Sequence, residues 1–268
     1  MRKTIPQQCE VTYNRRLDKA GLYYRLSVQG FKSPRKIYPG QFIHVKVSKS
    51  LDPFFRRAFS IADYSSDGTL DIIYKIVGKG TSILRTLKKG DSLDIIGPLG
   101  NNFSRPAKSK TIILAAGGVG LPPLLYFSRY LIEKKHPAEK ILFFYGGRSK
   151  DDLIEKTAIK KMKTKFYPST DDGSFGFHGL ITAAIQEQLA NLDLKNTIIY
   201  GCGPEPMLNA LQNLAMKYSI NGEISLEAPM PCGVGVCLGC VKPKMSDPSK
   251  YVRVCYDGPI FKIGEVQL

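Results

Sequence analysis

Long apolar runs are missing from this 268-residue sequence. No stretch approaches the roughly 18 apolar residues of a membrane-spanning helix, and the longest, at 111–116 and 141–145, have the length of strands. A spanning helix is therefore excluded. The N-terminus begins Met1-Arg2-Lys3, but no apolar core follows the charge, which argues against a secretory leader. The expected location is the cytoplasm, with thiols kept reduced. Histidine is scarce, at His44, His136 and His178 only. No acid–base triad can be assembled around these three, and each is read as an ordinary core or surface residue. Tryptophan is absent, and nothing follows from that. Acidic side chains are in short supply, 23 against 39 basic ones, leaving a formal charge of +16. Such a charge bears on solubility and association rather than on fold. Nucleic-acid binding would gather it into one stripe. Here it is spread over Lys32, Arg35 and Lys36, then Lys88 and Lys89, then 156–165. An acidic partner or an anionic cofactor suits it as well.

What is present is an ordinary globular composition, 43% apolar and 23% charged, long enough for one large domain or two modest ones. Three zones follow one another. Residues 1–105 alternate apolar and polar side chains in short runs, at 23–28, 41–47, 70–77 and 92–96, separated by turn signals such as Tyr38-Pro39-Gly40 and Lys89-Gly90-Asp91. That spacing predicts an antiparallel β-barrel or sandwich, and the barrel is the expected form. Residues 106–225 change period. Continuous apolar runs at 111–116, 141–145 and 197–200 alternate with helical patterns at 121–134, 149–163 and 205–218. Strands buried on both faces and alternating with helices predict a parallel α/β sheet. Residues 226–268 are short and rich in cysteine and glycine, and form the third zone.

Four of the six cysteines fall in that last zone, as Cys232-x4-Cys237-x2-Cys240 followed at a distance by Cys255. This is the plant-type [2Fe–2S] spacing. One short loop must wrap a small cluster with three thiolates and aim backbone N–H groups at its sulfurs, and Gly233, Gly235 and Gly239 lie inside it. The fourth thiolate is expected from a separate strand at 251–256. A structural zinc site or unligated thiols are the alternatives, but zinc ligands usually come as paired knuckles rather than three plus one. Cys9 has no such company and is read as an ordinary thiol.

Two further segments suggest nucleotide sites. Arg57-Ala58-Phe59-Ser60 opens a strand, and Tyr74-Lys75-Ile76 with Gly78-Lys79-Gly80-Thr81-Ser82 lies downstream, before an expected helix at 83–87. Free N–H groups at a helix start can hold a pyrophosphate, and strand residues can stack on a flavin ring. Gly117-Gly118-Val119-Gly120-Leu121-Pro122-Pro123 follows a strand and opens a helix, and Gly201-Cys202-Gly203-Pro204 closes a later strand. Ligands of open α/β sheets bind at the carboxyl ends of strands, where both turns fall.

Together with Tyr145-Gly146-Gly147-Arg148-Ser149, these motifs resemble the ferredoxin–NADP reductase superfamily. Thr170-Asp171-Asp172-Gly173-Ser174, the run Glu227-Ala228-Pro229-Met230 before Cys232, and Cys255-Tyr256-Asp257-Gly258-Pro259-Ile260-Phe261 narrow it. Over essentially its whole length the sequence resembles the electron-transfer subunits of NAD-dependent dihydroorotate dehydrogenases. The resemblance implies FAD in the barrel, NAD at the α/β domain and a [2Fe–2S] cluster near a partner surface. FAD is expected at Arg57, Ala58, Phe59, Ser60, Tyr74, Lys75, Ile76, Gly80, Thr81 and Ser82. NAD is expected at Gly117, Gly118, Gly120, Cys202, Gly203 and Pro204. Cys232, Cys237, Cys240 and Cys255 are the expected cluster ligands. Related flavin motifs often carry Tyr where this chain has Phe59, which removes one hydroxyl hydrogen bond. NADP-using relatives carry Ser-Arg where this chain has Ser169-Thr170-Asp171-Asp172, and two carboxylates would repel a 2′-phosphate, so NAD is favoured.

The implied activity is a relay in pyrimidine biosynthesis. Electrons pass from the FMN of a dihydroorotate-oxidising catalytic subunit through the cluster and FAD to NAD+, in a heterotetramer with two copies of each chain. The cluster loop, with Lys242 and Lys244 beside it, would form part of the interface. A second reading is the FAD/[2Fe–2S] subunit of an NADH-dependent ferredoxin:NADP reductase or sulfide dehydrogenase type complex. Its first cluster ligand is typically Asp, where this chain has Cys232.

Overall fold

A computed structural model describes residues 5–33 and 35–268. Met1, Arg2, Lys3 and Thr4, at the head of the stretch read for a leader, lie outside the described residues. No helix among them is long and apolar enough to cross a membrane.

The first zone is a closed antiparallel barrel. It comprises β1 (Gln7–Arg16), β2 (Tyr23–Gln29), β3 (Phe42–Lys46), β4 (Arg57–Tyr64), β5 (Leu70–Lys75) and β6 (Ser92–Leu99), in the order β1-β2-β5-β4-β3-β6. Period-2 alternation sends Val11, Leu26, Ile43, Val45, Ile72 and Ile95 inward, where they are fully buried together. The other face of β3 carries Phe42 and His44 outward, against the rest of the molecule. One short helix, α1 (Lys79–Leu84), interrupts the barrel after β5. It starts four residues earlier than the expected 83–87. Thr81 Oγ1 accepts the backbone N–H groups of Val77 (2.9 Å) and Gly78 (3.2 Å). Gly80, Thr81 and Ser82 thus form the first helical turn rather than a loop before it.

The second zone builds a seven-stranded sheet from β7 (Thr111–Gly117), α2 (Leu121–Glu133), β8 (Ile141–Gly147), α3 (Lys156–Lys161), β9 (Lys165–Thr170), β10 (Phe177–His178), α4 (Ile181–Leu189), β11 (Thr197–Cys202), α5 (Glu205–Lys217) and β12 (Gly222–Ser225). The strand order is β10-β9-β8-β7-β11-β12, all parallel, with β15 (Ile260–Lys262) added antiparallel at the β12 edge. Both faces of the central strand are covered. Ile112, Leu114 and Ala116 pack beneath α2, while Ile113 and Ala115 pack with residues of α4 and α5. The helix expected at 149–163 shrinks to Lys156–Lys161. Glu155 has a left-handed backbone (φ 53°), and the Asp152 carboxylate accepts the Arg148 N–H in a tight turn, so no helix can start before residue 156.

The last zone is a small lobe around a two-stranded pair, β13 (Val241–Pro243) and β14 (Tyr251–Arg253). Its buried Cys240, Val254, Cys255 and Phe261 share one apolar core with the sheet face under α4 and α5. The strand expected at 251–256 stops at Arg253. The backbone turns there, with the Tyr256 and Asp257 N–H groups donating to the Arg253 carbonyl, so Cys255 is delivered from a turn. Asn101, just past the barrel, pins the lobe. Its side chain donates to the Ile260 carbonyl (2.8 Å) and accepts the Ile260 N–H (2.9 Å).

Candidate functional site

The four C-terminal thiols lie within one small lobe, in two pairs. Cys240 Sγ is 3.3 Å from Cys255 Sγ. The β13–β14 ladder places them there, continued by the Val254 N–H donating to the Cys240 carbonyl. Cys232 and Cys237, close together on the loop before β13, form the second pair. Among the described residues, no three acidic, histidine or cysteine side chains are poised around a single-ion position. Two pairs of thiols suit two metal centres better than one tetrahedral zinc, which needs all four donors at one point.

Backbone donors surround the sulfurs. Burial pushes the Cys232 thiol up, but the N–H groups of Cys237, Val234 and Val236 outweigh it and hold the thiol down at about 6. The Gly239 N–H points at Cys237 Sγ and the Cys255 N–H at Cys240 Sγ, each at 3.4 Å. These donors favour thiolates, the form that binds iron. Arg253 fixes the loop by a two-armed ion pair with Asp257 (both contacts 3.1 Å) and a bond to the Gly235 carbonyl. Val236 and Leu238, at the outer edge of the loop, are 77% and 58% exposed. Lys242 is paired with Glu205 at 2.7 Å.

A cavity of about 300 Å³ lies between the barrel, the start of α2 and the lobe. Of the expected FAD residues, Ala58, Phe59, Ser60, Tyr74, Lys75 and Thr81 line it. Phe59 and Tyr74 meet edge to face at 6.0 Å, which leaves an aromatic wall. Arg57 stands beside Gly80, its guanidinium on the Phe55 carbonyl. Ile76 packs with the barrel core, and Ser82 lies behind the helix start. A second cavity, of about 290 Å³, opens at the carboxyl ends of β7, β8 and β11. The chain leaves β7 for β8 on one side and returns to β11 on the other, the place where open sheets bind nucleotides. Gly117, Gly118 and Pro204 line this cavity, and Asp171 stands at its wall. Gly120, Cys202 and Gly203 do not line it. A Cβ on Gly120 would fall 2.1 Å from the Cys202 carbonyl oxygen, so this glycine serves close packing of α2 against β11. Cys202 is wholly buried, and burial pushes its thiol up. Gly203 borders a cleft with Glu227 and Lys242. Lys75 and Val119 line both cavities, so the two adjoin.

Sequence comparison sets this geometry among known proteins. Three family profiles match in series: "Oxidoreductase FAD-binding domain" at residues 8–103, "Oxidoreductase NAD-binding domain" at 114–213, and "Iron-sulfur cluster binding domain of dihydroorotate dehydrogenase B" at 227–267. The dihydroorotate dehydrogenase B (NAD(+)) electron transfer subunit of Caldanaerobacter subterraneus subsp. tengcongensis is 38% identical over 233 residues, covering 87% of this chain and 88% of that one. The subunits of the same name from Enterococcus faecalis (38%; 91% and 92% covered) and Fusobacterium nucleatum (35%; 98% of each) are similarly close. The chain belongs to this family of electron transfer subunits.

The chain thus carries FAD-binding, NAD-binding and iron–sulfur-binding domains in that order. Among solved structures, an NADH-dependent reduced ferredoxin–NADP oxidoreductase studied for flavin-based electron bifurcation aligns with a TM-score of 0.83 at 26% identity, covering 97% of this chain and 89% of that one. A Neisseria gonorrhoeae ferredoxin NADP+ reductase, at 13% identity and a TM-score of 0.68 (80% and 91% covered), shares the fold.

Several residues of the site carry no local signal. Glu227, Ala228 and Met230 close the first cavity, and burial pushes the Glu227 carboxyl up. Only the run of residues before Cys232 hinted at them. Asp152 borders the second cavity, where it accepts Tyr23 Oη at 2.8 Å, Lys75 Nζ at 3.3 Å and Arg148 Nε at 3.2 Å. Burial raises this carboxyl, and those three partners more than offset it and hold it low. Its partners are over 70 residues away in the barrel, apart from Arg148. His44 lies under the cluster loop with 1% of its surface exposed. Burial, with the charges of Arg56 and Arg57, outweighs the Met230 carbonyl and pushes its imidazole down to about 4.

Proposed function

We propose that this chain receives electrons from an FMN-bearing, dihydroorotate-oxidising partner and delivers them to NAD+, within pyrimidine biosynthesis in the cytoplasm. The observation that carries this reading is the continuity of the site: paired thiols, then the first cavity, then the second, joined through Met230, Lys75 and Val119. Cys232, Cys237, Cys240 and Cys255 would hold the [2Fe–2S] cluster. The wall from Ala58, Phe59, Ser60, Tyr74 and Lys75 would hold the FAD ring, with Arg57, Ile76, Gly80, Thr81 and Ser82 about its outer parts. Gly117, Gly118 and Pro204 would seat NAD, with Gly120, Cys202 and Gly203 supporting the turn. When bound, these groups supply the redox chemistry, single electrons at the cluster and a hydride between flavin and nicotinamide. The protein's own work is to fix their order and keep water from the contact between them.

The exposed cluster loop fits the partner interface, and the complex is read as two copies of each chain. Lys242 is engaged with Glu205, so Val236 and Leu238 are the better probes of that surface. Anaerobically purified protein should contain one FAD and two irons per chain, and should reduce NAD+ with dihydroorotate only when the catalytic partner is added. Zinc in place of iron, or NAD+ reduction by reduced ferredoxin without such a partner, would overturn the reading.

A further inference from the structure

We propose that His44 donates a hydrogen bond from its ring to a sulfur at the Cys232 end of the iron–sulfur cluster and thereby helps set the cluster's potential. His44 occupies β3 between two neighbours that matter. Phe42, two residues earlier on the same strand face, lines the first cavity and meets the His44 ring edge to face at 6.2 Å and 76°. On its other side, the ring lies against Gly233, the residue after Cys232. A Cβ built on Gly233 would fall 2.7 Å from His44 Cε1 and Nδ1, and Gly233 already holds a left-handed backbone at φ +69°. The loop can therefore pass over the ring only with glycine at that position.

The Met230 carbonyl lies beside the ring, but neither ring nitrogen reaches it or any other partner with good hydrogen-bond geometry, although the residue is buried. A buried polar group left without a partner is destabilising, and such groups usually face a partner of their own, such as a bound ion or group. Imidazole in either protonation state keeps at least one N–H. The backbone N–H donors of Val234, Val236 and Cys237 already aim at Cys232, and the His44 ring adds a side-chain donor from the barrel side. Hydrogen bonds to cluster sulfurs are one of the means by which a protein sets the potential. This donor would come from the barrel, so it would couple the flavin domain to the cluster without any change of ligand.

The inference rests on the cluster being bound at the four cysteines, and iron analysis tests that separately. The test is an EPR-monitored redox titration of the purified iron-loaded protein, wild type against His44→Phe and His44→Gln. His44→Phe should retain two irons and titrate at a more negative potential, and His44→Gln, which restores an N–H, should return part of the shift. Equal potentials for wild type and His44→Phe with full iron content would overturn the proposal. If His44→Phe fails to assemble, wild type labelled with [15N]histidine decides. Hyperfine coupling of a histidine nitrogen to the reduced cluster would support the proposal, and its absence would overturn it. His136, bonded to the Lys110 carbonyl, and His178, in β10, lie in the α/β domain, so the signal is assignable.

Discussion

Cys9 and Asp171 show what single side chains decide. Cys9 is sealed inside the barrel, where burial first and the charge of Asp94 second push its thiol from 9.0 up to about 11. Above pH 9 the unfolded chain ionises this thiol while the folded chain keeps it protonated. Stability is therefore full below pH 9 and is lost as pH rises toward 11. Between pH 8 and 10, urea unfolding should show wild type losing about 1 kcal/mol more than Cys9→Ala. Asp171 stands at the wall of the second cavity, while Asp172 turns away to accept the Ser174 N–H at 2.9 Å. Of the two carboxylates read as repelling a 2′-phosphate, Asp171 is thus the one placed to do so. Carboxylate–phosphate repulsion at such a site amounts to about 1–4 kcal/mol. Asp171→Asn should raise kcat/KM for NADPH relative to NADH about tenfold, read by diaphorase activity with an artificial acceptor.

At the scale of elements, strongly patterned segments were legible and weakly patterned ones were not. The run at 111–116 became β7, and the helical spacing at 121–134 became α2, because burial on both strand faces or on one helix stripe leaves a period in the sequence. β1 left little trace, since only Cys9 and Val11 are buried among its ten residues. The helical spacing at 149–163 yields only the short α3, because Glu155 and Asp152 serve a turn whose partners lie in the barrel. Where α2 crosses β11, Gly120 touches the Cys202 carbonyl. Gly120→Ala must push the two apart, and overpacking of this kind costs typically about 1–3 kcal/mol. A urea midpoint lowered by that amount, with NADH affinity weakened alongside, is the expected outcome. Unchanged unfolding would show that α2 can slide freely.

Across the whole molecule, ion pairs tie the barrel to the α/β unit. Arg25 of β2 meets Asp71 at 2.7 Å and Glu155, ahead of α3, at 3.0 Å, all three side chains nearly enclosed. Burial works against the Arg25 charge, but Asp71 and Glu155 outweigh it. Arg25→Met would strand two carboxylates, and breaking a buried pair from one side costs roughly 3–5 kcal/mol. The variant should unfold at correspondingly lower urea, and the barrel and α/β transitions, followed by flavin fluorescence and far-UV circular dichroism, should separate. Coincident transitions would show that the remaining contacts, those of Asn101, Asp152 and Arg129 among them, are enough to keep the two units together.

The order of the three zones, the cysteine spacing and the glycine turns are local properties, written in period and in ligand spacing, and the sequence by itself determined them. It also placed Cys232, Cys237 and Cys240 on one loop, because three thiolates in nine residues need no distant partner. Which residues complete the site was decided only by tertiary structure. Glu227 and Met230 reach the first cavity because β15 and the lobe fold back onto the barrel. Asp152 meets Tyr23 and Lys75 across a domain boundary, and His44 comes under Gly233 from nearly 190 residues away. The pairing of the thiols also depends on a ladder between β13 and β14. Such contacts join segments that are remote in the chain and carry no periodicity of their own, so only the packing of the folded chain brings them together.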